Sequence, residues 1–128
     1  MPTTHLEAAR LHHLALKHFF LRHTSEASDP RALRRVLTLC EAAGAAIDDD
    51  YARDKLHQVG EYAAEMLAHD DHAKWGRDSM SGAEFLRQQV LNALELFASR
   101  LYSIEALRRA AENEGTLPWT TRSGIAQI

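Results

Sequence analysis

The sequence predicts an all-α fold: a four-helix bundle, elongated by one long C-terminal helix and followed by an extended tail. Three observations lead there. Apolar side chains recur at helical spacing in successive segments, as on helices that bury one face. No segment alternates apolar and polar residues in the manner of a half-buried strand. Residues 81–113 contain no proline, and no glycine after Gly82, so one unbroken helix is expected there. At about 1.5 Å per residue it would be roughly 50 Å long, longer than a compact domain of 128 residues needs. It therefore reads as the spine on which the other helices pack.

The first helix is expected over residues 4–23, with Thr4 and Glu7 at capping-box spacing. Its large apolar residues do not form a single stripe at about 100° per residue. Leu11, Leu14 and Leu21 share one side, and Leu16, Phe19 and Phe20 lie nearly opposite. A helix that is apolar on two sides is usually covered on two sides. A linker over 24–28 precedes Pro30, which suits the first helical position, with Asp29 or Ser28 as cap. The second helix carries Leu33, Val36, Leu37, Cys40 and Ala43 and is expected to end at Gly44. One of Asp48, Asp49 and Asp50 caps the third helix, and the others suit the positive end of its dipole. Its core face is Ala52, Leu56, Val59, Ala63, Met66 and Leu67, the most regular amphipathic pattern in the chain. Residues 70–79 are polar and read as a loop.

The fourth helix opens on Ser81, with Glu84 closing a second capping box, and Gly115 stands just past its end. Its main stripe is Leu86, Val90, Ala93, Leu94, Phe97, Leu101 and Ile104, with a second stripe of Phe85, Leu96 and Leu107 beside it. Pro118 and two glycines keep the tail from continuing the helix. The expected organisation is one bundle domain over 1–113 and an extended tail over 114–128.

A chain of this length with 45% apolar residues can bury a core without disulfides or metal. The single cysteine, Cys40, excludes an internal disulfide framework and suits a reducing compartment. It reads as a small buried apolar residue. No apolar run approaches a membrane span, and the first residues lack the basic start and apolar stretch of a signal peptide. A cytoplasmic location is expected. The net charge of −3 conceals an asymmetry. Residues 1–35 carry six Arg/Lys against three Asp/Glu, whereas residues 36–82 carry four against ten. That favours pairing between segments over general polyanion binding.

Eight histidines invite a metal reading. His57 with Glu61, and Glu65 with His69, stand four apart, but this row lies opposite the apolar stripe of its helix. The long helix has no histidine, and Glu84 and Glu95 sit in no ligand motif. No metal or cofactor is expected. Arg31, Arg34 and Arg35 cluster on the second helix, and phosphate contact is open to them. A helix-turn-helix reading of residues 39–56 fails, because the recognition helix would lead with three aspartates. Arg108 and Arg109 suit the C-terminal end of their own helix. Arg53 and His57, with Tyr62 beyond, loosely resemble the Arg…His pair of HEPN-type ribonucleases, which are also small helical bundles. The spacing here is shorter by at least one residue, Asp54 follows the arginine, and the pair sits on the third helix, so the family is not assigned.

The expected function is non-enzymatic: a cytosolic adaptor, regulator or assembly subunit that binds another protein or a second copy of itself as a homodimer. Leu16, Phe19, Phe20 and Trp119 are the expected contacts, with Arg31, Arg34 and Arg35 as rim charge. The alternative is a helical subunit of a nucleoprotein complex, gripping RNA or DNA backbone through its arginines. Behind both stands a metal-binding or HEPN-like ribonuclease bundle.

Overall fold

The computed structural model describes residues 2–23, 28–68 and 82–114. They form four helices: α1 (Pro2–Arg22), α2 (Pro30–Ala46), α3 (Asp50–Ala68) and α4 (Gly82–Glu114). The helices close a ring, α1 on α2, α2 on α3, α3 on α4 and α4 on α1. The all-α four-helix bundle expected from the sequence is what forms. The tail after Glu114, and the loop between α3 and α4, lie outside the described residues.

Each helix gives one stripe to a common core. On α1 it is Leu6, Ala9, His13, Leu16 and Phe20, spaced 3, 4, 3 and 4 residues apart, which keeps one face inward. On α3 the same rhythm brings in Ala52, Leu56, Val59, Ala63 and Met66. On α4 it brings in Ala83, Leu86, Val90, Ala93, Phe97 and Leu101. The alanines let neighbouring backbones approach, and Phe20 and Phe97 fill the remaining width. Truncating an aromatic in such a place costs about 3–5 kcal/mol.

Polar contacts fix how the helices sit end to end. Asp49 caps α3: its Oδ2 accepts from the Ala52 amide at 2.9 Å. The same carboxylate accepts from Arg100 of α4 twice, Nε at 3.0 Å and Nη2 at 2.8 Å. Arg100 thus marks where α3 begins, and the rest of α4 runs on past it. Arg10 pairs with Glu105, and Lys17 lies 3.5 Å from Glu95, so α1 runs antiparallel to α4 and flanks the overhang. At the other end, Arg87 Nη2 donates to the His23 carbonyl at 2.7 Å and pairs with Glu84. Asp29 caps α2 through the Ala32 amide at 3.1 Å, with Pro30 at the first helical position. Its own amide donates to the Leu67 carbonyl of α3 at 2.7 Å.

Three local expectations change. Helix α1 begins at Pro2, ahead of Thr4. Helix α2 runs through Gly44 to Ala46, and a three-residue connection over 47–49 leads to α3. Leu37 is not a core residue: it stands on the α2 flank, exposed, with its Cδ2 beside Gly60 of α3.

A mid-helix glycine costs about 0.5–1 kcal/mol relative to alanine. A Cβ at Gly44 would meet Leu56 Cδ1 at 3.7 Å, an ordinary contact. Gly44→Ala should therefore raise the free energy of unfolding in urea by about 0.5–1 kcal/mol. Asp49→Ala should lower it by about 1 kcal/mol through the lost cap alone. The Arg100 hydrogen bonds hold the Asp49 carboxyl below its ordinary 3.8, so its contribution is complete above that pH. It fades as pH falls through the lower folded-state value, and the stability gap between wild type and variant should narrow on acidification below about 4.

Candidate functional site

The core accounts for two of the side chains expected to meet a partner. Leu16 and Phe20 are wholly buried within the chain itself, so they are corrected from contact residues to core residues. Phe19 is half-buried beside them, edge-on to Phe20 at 4.9 Å and stacked on the His23 ring at 5.0 Å. Arg31, Arg34 and Arg35 are exposed. Trp119 lies outside the described residues.

The apolar surplus is real, but it is on the other side of α1. Leu11 is 67% exposed and Leu14 48%, with Leu21 similar; on α4, Tyr102 is 74% exposed and Leu107 67%, with Leu96 also in water. The second stripe of α4 thus faces outward at Leu96 and Leu107, and Tyr102 joins the α1 side. Leu14 and Tyr102 line one groove between α1 and α4, of about 230 Å³, floored by His13 and Leu101. The Arg10–Glu105 and Lys17–Glu95 pairs run between the same two helices. The groove is therefore apolar with charged edges, the usual anatomy of a protein contact.

His13 is unusual in that floor. It is only 8% exposed, its Nε2 has no hydrogen-bond partner, and its ring lies 6.1 Å from that of Phe97. Burial, and then the charge of Lys17, push its pKa below the ordinary 6.5, against smaller opposing effects of Glu95 and the Leu94 backbone.

A wider groove, about 670 Å³, lies between α2 and α3. Arg53 and His57 both border it, together with Cys40, yet they do not form a catalytic pair. Arg53 Nε donates to the Gly44 carbonyl at 3.1 Å and Nη1 lies 3.5 Å from Asp48, so this guanidinium closes the end of α2. His57 Nε2 sits 3.4 Å from Glu61 in open solvent. Burial pushes the Cys40 thiol up to about 12, which leaves essentially no thiolate at neutral pH.

A third concavity, of about 410 Å³, lies between α1 and α2 and is bordered by His18, Phe19, Arg22, His23 and Arg35. The arginine cluster of α2 is thereby split. Arg35 faces α1, whereas Arg34 borders the α2–α3 groove beside Glu41 and Glu61. Among the described residues no three His, Cys, Asp or Glu side chains gather as a metal site would require. His69 lies outside them.

His13 makes acid stability a test of this arrangement. Its folded-state pKa is lowered, so the unfolded chain binds the proton more readily and stability falls as pH drops through 6.5. The free-energy difference between His13→Leu and wild type, followed by urea unfolding, should therefore shift in favour of the variant between pH 7.5 and about 5. A constant difference would contradict the buried imidazole with its unpartnered Nε2.

Comparison with protein-family models, with curated proteins and with solved structures finds no match to this chain.

Proposed function

We propose that the chain works by binding protein, as a cytosolic adaptor, regulator or assembly subunit, and not by catalysis. One observation carries this reading. Leu14 and Tyr102 border one groove between α1 and α4 yet remain largely in water, with Leu11 and Leu21 exposed on the same side of α1. Each has a cost in solvent of about 25 cal/mol for every Å² of apolar surface left uncovered. Grouped apolar surface of this kind, edged by charge, is characteristic of interaction sites. The Leu14–Tyr102 groove is its centre, and a second copy of the chain or another protein supplies the cover. No helix among the described residues is long and apolar enough to cross a membrane.

The nucleoprotein alternative has less support. A backbone-tracking surface needs its cations on one stripe, and here consecutive arginines serve different grooves, with carboxylates beside Arg34.

Leu14→Asp and Tyr102→Asp test the proposal. Both positions are exposed, so the variants should fold with wild-type helicity. Light scattering on the purified chain and cross-linking in native extract should show a dimer or a defined heteromeric complex. Either variant should disrupt it, and Asp54→Lys, on the outer face of α3, should leave it intact. A single-chain mass together with cross-links unchanged by both variants would refute the reading.

A further inference from the structure

The concavity between α1 and α2 has a composition that protein docking does not explain. His18, Arg22 and His23 come from the last turns of α1, Arg35 comes from α2, and Phe19 and Ala15 form an apolar wall. Two arginines and two histidines border it, and among the described residues no carboxylate does. Elsewhere among the described residues Arg10, Arg53, Arg87, Arg100, Arg108 and Arg109 each pair with a carboxylate, whereas Arg31 and Arg34 of α2 do not. Arg22 and Arg35 have no such pair among the described residues. The Nε2 atom of His23 is buried without a hydrogen-bond partner. Cations brought together without a counter-charge repel one another, and an anion seated among them removes that cost.

We propose that this concavity binds a phosphate monoester. The planar fork of arginine matches phosphate oxygens two at a time, and the imidazole N–H groups supply further donors. A volume of about 410 Å³ holds roughly a dozen waters, more than a bare phosphate requires. It lies within the range of small-molecule sites, and the Phe19 wall accommodates an apolar or aromatic substituent on the ester. One effect opposes anion binding: the C-terminus of α1 carries about half a negative charge. The start of α2, which runs back beside it, carries about half a positive charge, so the two nearly cancel. The arginines decide the sign. The His23 carbonyl, moreover, is already bonded to Arg87 at 2.7 Å.

Titration of the full chain, followed by amide NMR shifts, tests this with three probes: inorganic phosphate, phenyl phosphate and a single-stranded oligonucleotide. Phenyl phosphate should saturate one site, with shifts centred on residues 15–23 and 35, and inorganic phosphate should bind at the same place more weakly. Arg35→Gln and Arg22→Gln should each weaken phenyl phosphate by about tenfold or more, the loss of a charge-assisted contact. Arg31→Gln removes the same charge outside the concavity and should change affinity by less than about twofold. Arg22 and Arg35 are exposed, and unchanged thermal melts would show that their variants remain folded. Shifts that never saturate, or equal losses in Arg31→Gln and Arg35→Gln, would overturn the proposal, as would binding of the oligonucleotide with neither phosphate nor phenyl phosphate.

Discussion

Four helical stripes must meet in one core, and that burial decides the rest of the molecule. Every stripe has to be wide enough to seal against two neighbours and thin enough to let the backbones close. The chain meets both demands by mixing Ala9, Ala43, Ala52, Ala63, Ala83 and Ala93 with Leu16, Phe20, Leu86 and Phe97, all buried. Once this core is filled, no interior remains for further large apolar residues. Most of those left over stand on α1 and α4, while Leu37 of α2 and Tyr51 of α3 are exposed as well.

Charge then sets register and leaves its own surplus. The carboxylates of Asp49, Glu95 and Glu105 hold α4 against α3 and α1, and they use Arg100, Lys17 and Arg10 to do so. Glu105 also draws in Arg108 and Arg109, so these two arginines serve their own helix and not a ligand. What remains unmatched among the described residues is concentrated on α1 and α2, where the sequence is most basic. Two uncommitted features follow from one fold: an apolar groove between α1 and α4, and a cationic concavity between α1 and α2. The first helix serves both, with its core stripe turned away from each.

Much of this was legible in the residues. The α3 stripe is regular enough to be read directly, and the Asp29–Pro30 pair marks the start of α2 because cap and ring chemistry act locally. The face of α1 was misread for a physical reason. A reading confined to large apolar side chains sees Leu16 and Phe20 opposite Leu11 and Leu14, with nothing to choose between the sides. Ala9 and His13 break the tie, since they complete a stripe spaced 3, 4, 3 and 4 residues apart. Alanine carries too little surface to signal burial, and histidine signals it poorly. Gly44 and Leu37 misled in a related way: a glycine ends a helix only when tertiary packing does not carry the helix past it. The division of Arg34 from Arg35 had one clue, since adjacent helical residues point about 100° apart. Which groove each would border depended on helix neighbours that the sequence did not specify.

The central claim is that one side of α1 is sealed inside the chain while the other awaits a partner. Hydroxyl-radical footprinting, with side-chain oxidation read by mass spectrometry, addresses both halves at once. In the purified chain, Leu11, Leu14 and Tyr102 should be oxidised readily, and Leu16 and Phe20 should be protected. In native extract, Leu14 and Tyr102 should become protected, with Leu16 and Phe20 unchanged. Oxidation of Leu16 and Phe20 in the purified chain would contradict the core assignment. Equal oxidation of Leu14 and Tyr102 in both settings would contradict the interface.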